Sequence, residues 1–217
     1  MPSIYFVLYL IYLWYFIELE NELLHWLTLV ILPLALFAAL VRWGPGAKHE
    51  SGPLALIGLS KATLTRGLWQ AALIGIATGS LQLLMSRQKA AVWALIQSGE
   101  FFYKFPLAFG MMLLVAASTE EFFFRGVLQT SLNRLFKSPR WGNVVASISF
   151  GLYHFPYAYK NPAWPSHGSF GAAFGEGVIM SAIIGLILGA VYNRYRNLLA
   201  PVIVHAAFNA VWFSAKV

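Results

Sequence analysis

The stretch FPLAFGMMLLVAASTEEFFFRGVLQTSLN, residues 105–133, decides the fold class of this chain. Its first half is apolar throughout, and its length exceeds the roughly 20 residues that a helix needs to cross a hydrocarbon core of about 30 Å. Shorter apolar runs on either side qualify or nearly qualify as spans, and they occupy residues 3–17, 23–41, 67–86, 142–156, 172–193 and 198–215. The pattern predicts an all-α protein, a polytopic bundle of about seven transmembrane helices in a single domain.

The composition agrees with a membrane location. The 217 residues are 59% hydrophobic and only 11% charged, whereas a soluble domain carries about 25% charged residues. The chain contains no cysteine, and its eight acidic residues are all glutamates. Disulfides, thiolate metal ligands, cysteine nucleophiles and aspartyl dyads are therefore excluded, so any carboxylate chemistry must use glutamate.

The basic residues predict the orientation and the partners. The net charge is +7, and the lysines and arginines lie between the apolar runs and form no single basic face. If the N-terminus is cytoplasmic, nine of the fifteen basic residues fall in cytoplasmic loops and five on the outer side, as the positive-inside rule favours. We therefore expect a multi-pass integral membrane protein that contacts membrane lipid and a protein or peptide substrate, and not nucleic acid. The oligomeric state stays open.

Ionisable residues inside the spans are the candidates for function, because a charged side chain at a helix centre costs about 2.5–3.5 kcal/mol on insertion scales. Glu121 and Arg125 are four residues apart in the opening stretch, so they share a helix face and can form an ion pair. Glu120 projects about 100° away from Glu121, so the same arginine does not account for its burial. A structural ion pair explains Glu121 and Arg125, whereas Glu120 indicates a functional site.

Three further polar residues lie in later spans. His154 lies near the end of the fifth span, while His205 and Asn209 are four residues apart on one face of the seventh. At 1.5 Å rise per residue, Glu120, His154 and His205 lie about 21, 18 and 12 Å from the inner ends of their helices, so they can reach one level. A glutamate and a histidine can activate water as general bases, and a second histidine with an asparagine amide can bind an oxyanion. This set predicts hydrolysis of an acyl bond, above all a peptide bond.

Three motifs carry a resemblance to a known family: Glu-Glu-x-x-x-Arg at 120–125, Phe-x-x-x-His at 150–154 and His-x-x-x-Asn at 205–209. In this order on successive apolar helices, they resemble the CAAX-protease and bacteriocin-processing family of intramembrane glutamate endopeptidases, which includes the Ras-converting CAAX endopeptidases. The resemblance covers about residues 105–215. The fold and activity that it implies are those of an intramembrane protease.

The resemblance also implies a role for each matching position. Glu120 and His154 would activate the water. His205 and Asn209 would bind the oxyanion, and Glu121 and Arg125 would support the site. It implies no cofactor. The chain then divides into N-terminal transmembrane helices with their connecting loops, residues 1–104, and a catalytic helical core, residues 105–217.

Two other functions fit the same residues. Two histidines and a glutamate are also a zinc ligand set, which predicts a zinc-dependent intramembrane metalloprotease as one alternative, although the chain has no His-Glu-x-x-His motif. In the other alternative, the polar residues form the buried network of a non-catalytic membrane scaffold or immunity protein.

Two further patterns concern packing and substrate access. Gly75-x-x-x-Gly79 and Gly185-x-x-x-Gly189 are typical of faces where two membrane helices approach closely. The segment 156–171, PYAYKNPAWPSHGSFG, holds three prolines and several aromatic residues and predicts an ordered interfacial loop or a lid.

Overall fold

The computed structural model describes residues 57–85, 89–162 and 164–217, together with a few single positions before residue 57. The regular structure in these ranges is helical and contains no strand, which confirms the all-α class for the described part of the chain. The predicted spans 3–17 and 23–41 lie outside the described residues, apart from those single positions.

The described ranges contain helices α1 to α6, most of which follow the predicted spans to within a few residues. Their bounds are Leu68–Met85, Lys89–Ser98, Phe101–Leu135, Pro139–Lys160, Phe170–Tyr195 and Leu199–Phe213. Among the residues described, α3 with 35 residues and α5 with 26 are long and apolar enough to cross a membrane. The bent pair of α1 and α2 adds a third span if it crosses as one. Seven spans therefore stay a prediction.

The helices form two compact units. One is built on Phe122–Arg194, and the other combines Gly58–Glu121 with Tyr195–Val217. The predicted division of the chain into residues 1–104 and 105–217 rests on the motifs and stays a prediction.

In the second unit, α6 packs closely against α1. A Cβ atom added at Gly75 would lie 2.6 Å from the Ala207 Cβ, and one added at Gly79 would lie 2.7 Å from the Val211 Cγ2. Only glycine allows this approach, so the predicted packing face of Gly75 and Gly79 is confirmed.

The start of α6 is held by Asn197, which is fully buried. Its amide nitrogen donates to the carbonyl oxygens of Leu64 and Arg66 at 2.9 and 3.0 Å, and its Oδ1 accepts from the Leu199 N–H at 3.0 Å. The last bond satisfies one of the amide groups that a helix N-terminus leaves without an intrahelical partner. Asn197 thereby fixes the beginning of the helix that carries His205 and Asn209.

In the first unit, polar side chains bond the backbone of α5. Arg125, Gln129 and Asn143 donate to the carbonyl oxygens of Gly185, Gly189 and Leu186 at 3.2, 3.0 and 3.0 Å, respectively. A Cβ at Gly185 would lie 3.1 Å from the Ser147 Cβ, and one at Gly189 would clash with the Asn143 amide. The second predicted glycine face is therefore confirmed as well.

Helix α3 is not wound uniformly. Leu113–Ala117 and Phe122–Gln129 are π-helical, and so is Phe174–Met180 in α5. Each π segment is followed at once by a serine or threonine, namely Ser118, Thr130 and Ser181. The hydroxyls of Ser118 and Thr130 donate five residues back, to the carbonyl oxygens of Leu113 and Arg125. Hydroxyl groups of this kind satisfy backbone acceptors that wider winding releases inside a membrane helix.

Candidate functional site

The two glutamates lie on a short α-helical turn between the two π segments of α3. This turn is Ser118–Glu121, and it buries both carboxylates, since Glu120 is 7% exposed and Glu121 is 0% exposed. The Thr119 hydroxyl, between Ser118 and Glu120, bonds back to the Val115 carbonyl oxygen at 2.7 Å. π-Helical turns are rare and occur often at functional sites, because they change which residues face a neighbour. The π-helical segments therefore flank the same turn that carries the two buried glutamates.

A histidine of α6 meets both carboxylates within the second unit. His205, which is 4% exposed, places its Nδ1 2.9 Å from Glu121 Oε1 and its Nε2 3.9 Å from Glu120 Oε2. The first distance is a hydrogen bond, whereas the second lies in the range of an ion pair but beyond that of a hydrogen bond. One imidazole thus stands between two buried glutamates.

The Glu121 contact links the protonation of the two side chains. An ionised carboxylate can only accept a hydrogen bond, so the His205 tautomer that matches an ionised Glu121 carries its proton on Nδ1. In the neutral ring the lone pair then resides on Nε2, the nitrogen on the Glu120 side. Asn209 follows His205 by one turn of α6 and is half-buried.

In the first unit, the backbone orients His154. Its Nδ1 lies 2.8 Å from the Phe150 carbonyl oxygen, which can only accept. Nδ1 is therefore protonated, and the neutral ring keeps its lone pair on Nε2, as a general base requires. The rings of Phe150 and Tyr153 lie 4.6 and 4.9 Å from the imidazole and restrict its rotation.

Arg125 is fully buried in the first unit. Besides its bond to the Gly185 carbonyl, its guanidinium carbon lies 4.7 Å from the centre of the Phe150 ring. A cation over an aromatic face is stabilised electrostatically, more so away from water. These two contacts were not predicted from the sequence, and the predicted ion pair with Glu121 stays a prediction.

The segment after α4 folds back onto that helix. Helix α4 continues to Lys160, so the predicted loop 156–171 is shorter than expected and begins at Asn161. The Ser166 hydroxyl donates to the Ala158 carbonyl at 3.0 Å, and the Trp164 ring centre lies 6.4 Å from that of His154. The segment therefore lies beside His154, and the predicted interfacial loop or lid stays a prediction.

The six predicted site residues are thus placed as follows. The structure brings Glu120, Glu121 and His205 together and sets Asn209 on the same helix as His205. It describes Arg125 and His154 within the other unit. Within the described ranges, no three His or Glu side chains are grouped so that they could hold a metal ion. The catalytic roles, and the meeting of His154 with Glu120, stay predictions.

The fold and the cluster define a class: helical proteins with long apolar helices that bury ionisable groups, an arrangement typical of functional sites inside membranes. The family model described as type II CAAX prenyl endopeptidase Rce1-like matches residues 102–211, just over half of the chain. The chain belongs to this family, and the resemblance drawn from the three motifs is confirmed. Neither the curated proteins nor the solved structures gave a match. Family membership implies a protease, and with the apolar helices α3 and α5 it implies an integral membrane protein.

Proposed function

We propose that the chain is a glutamate-type intramembrane endopeptidase that hydrolyses a peptide bond of a membrane-associated protein or peptide. The observation that carries the proposal is the buried cluster in which His205 bonds Glu121 at 2.9 Å and faces Glu120 at 3.9 Å. Burying ionisable groups in a membrane protein costs free energy, so such groups are typically functional. In a member of an endopeptidase family, this supports a catalytic function for the cluster.

The proposed reaction begins with water activation. Glu120 and the Nε2 of His154 act as bases toward a water, which attacks the carbonyl carbon of the scissile bond. The tetrahedral intermediate then carries a negative oxygen, and His205 and Asn209 donate hydrogen bonds to it. Glu121 orients His205 through its bond to Nδ1. Arg125 supports the first unit through the Gly185 carbonyl and the Phe150 ring.

The proposal needs no metal ion, because the general bases come from the chain itself. The family is described as type II CAAX prenyl endopeptidase Rce1-like. Our proposal covers the wider class of membrane-associated proteins and peptides, since the motif residues determine the reaction more than the substrate. It also includes a multi-pass topology with a cytoplasmic N-terminus, which the distribution of basic residues supports.

Comparative proteomics of membranes tests the proposal and identifies substrates. Cells that express the wild type, Glu120→Ala or Glu100→Ala at equal levels are compared for shifted N- or C-terminal peptides. Glu100 is a partly exposed glutamate just before α3 and serves as the matched control. We expect processed termini in the wild type and in Glu100→Ala and their loss in Glu120→Ala. Processing that continues in Glu120→Ala at normal expression would refute the proposal.

A further inference from the structure

We propose that His205 delivers a proton to the leaving amine nitrogen through its Nε2 after the same N–H has bound the oxyanion. This inference rests on the proposed function and adds a second task for a residue that the resemblance places in the oxyanion hole. Glu121 is the positioning residue that makes the task possible, since it holds the opposite nitrogen of the ring.

The bond to Glu121 fixes the orientation of the His205 ring. Glu121 is fully buried, His205 is 4% exposed, and with Glu121 ionised their 2.9 Å bond holds the ring proton on Nδ1. Only Nε2 then remains to exchange protons or to donate to substrate. For that nitrogen to donate to the oxyanion, it must first acquire a proton, because the neutral ring carries its proton on Nδ1.

Glu120 can supply that proton. Glu120 Oε2 lies 3.9 Å from His205 Nε2, and Glu120 is the base that takes the water's proton in the proposed reaction. A rotation of the carboxyl group brings the two atoms into hydrogen-bond range, and catalytic hydrogen bonds often tighten only when substrate binds. The cluster therefore forms a path from the attacking water to His205.

The protons balance along this path. Water loses one proton to the Glu120 carboxylate, and its oxygen forms the new bond to the carbonyl carbon. The proton passes to Nε2 of His205, whose N–H stabilises the oxyanion. When the C–N bond breaks, Nε2 transfers this proton to the departing nitrogen, so the amine leaves neutral and the ring returns to its starting form. The sum is one water consumed, with one carboxylic acid and one amine formed.

A proton donor and a pure oxyanion donor differ in their dependence on the leaving group. An amine cannot leave without a proton, whereas p-nitrophenolate leaves as a stable anion. Loss of a proton donor therefore slows amide hydrolysis selectively. Loss of an oxyanion donor slows amide and ester hydrolysis alike, because both pass through the same kind of tetrahedral intermediate.

The test uses the purified full chain in liposomes with two probes that share one acyl peptide, one ending in a peptide bond and the other in a p-nitrophenyl ester. The variant is His205→Gln, whose amide can still donate to an oxyanion but cannot act as an acid. His167→Gln, at an exposed histidine of the loop after α4, is the matched control. We expect kcat for the amide to fall about 10²- to 10⁴-fold in His205→Gln, kcat for the ester to fall less than about tenfold, and no change in His167→Gln.

Equal losses on the two probes would overturn the inference and leave His205 as an oxyanion donor. Thermal unfolding of each variant identifies a folding defect. If His205→Gln does not fold, Glu121→Leu takes its place, because it removes the acceptor that positions the His205 ring. Selective loss of the amide reaction is again expected, and equal losses would again overturn the inference. The proposed function fails separately, when the wild type and Glu120→Gln hydrolyse the amide probe at the same rate.

Discussion

Replacing Glu121 measures how much the buried bond to His205 contributes to catalysis. Glu121→Leu removes the acceptor 2.9 Å from Nδ1 and leaves that N–H buried. A hydrogen bond to a charged group contributes about 1.5–3 kcal/mol. At about 1.4 kcal/mol for each tenfold change in rate, kcat is expected to fall about 10- to 150-fold. Since Glu121 acts through the ring and does not touch substrate, KM should stay unchanged.

Glu121→Gln separates the acceptor from its charge. The glutamine oxygen can accept the same bond, but a neutral pair contributes only about half as much as a charge-assisted one. We therefore expect a loss in kcat of about threefold to twelvefold, smaller than the loss in Glu121→Leu. Kinetics on a quenched fluorescent peptide in liposomes give kcat and KM for each variant. Glu100→Gln is the control, because it also removes a negative charge. The Lys104 Nζ lies 3.1 Å from Glu100 Oε2 and lowers the pKa of Glu100, which keeps this carboxyl group ionised.

The reasoning fails if Glu121→Leu retains wild-type kcat, or if the loss appears in KM alone. A second contradiction would be equal losses in the leucine and glutamine variants, since only the former lacks an acceptor. Nitrogen-15 spectra of labelled histidine provide an independent check. They should show the His205 proton on Nδ1 in the wild type and in Glu121→Gln, and a redistribution toward Nε2 in Glu121→Leu.

Three further outcomes are expected. Treating the purified wild type with a zinc chelator should leave activity unchanged, and a stoichiometric zinc whose removal abolishes cleavage would support the metalloprotease alternative. Gly189→Ala should lower the midpoint of thermal unfolding, because the added Cβ would meet the Asn143 amide and such overpacking costs about 1–3 kcal/mol. Gly171→Ala in the same helix is the control and should leave the midpoint unchanged, because its added Cβ would meet open space. Trp164→Ala should raise KM for the peptide more than Trp141→Ala, an exposed tryptophan at the start of α4, if the loop beside His154 contacts substrate; equal effects would contradict that role.

Much of this arrangement could be predicted from the sequence, because the constraints are local. The apolar runs predicted α1, α3, α5 and α6, since a helix in lipid must satisfy its own backbone groups. The cost of burying a charge identifies Glu120 and Glu121 as candidate functional residues from the sequence alone. The glycine pairs predicted close packing because only glycine lets two helix backbones approach so near.

The winding of α3 could not be predicted from the same reasoning. Faces and depths were derived from uniform α-helical geometry, whereas the π segments Leu113–Ala117 and Phe122–Gln129 flank the glutamates and change which residues face a neighbour. A signal was present, since Ser118 and Thr130 follow these segments and bond back to them. The pair of Glu121 and His205 was missed for another reason, because its members are 84 residues apart and spacing describes only neighbours within one helix.

The proposed reaction depends on the Glu120 carboxylate, which activates the water that cleaves the substrate. The most direct measurement compares purified wild type, Glu120→Gln and Glu100→Gln in liposomes, with products of a prenylated reporter peptide identified by mass spectrometry. We expect one defined cleavage by the wild type and by Glu100→Gln, and a rate at least about 10²-fold lower with Glu120→Gln. Cleavage by Glu120→Gln at the wild-type rate would contradict it.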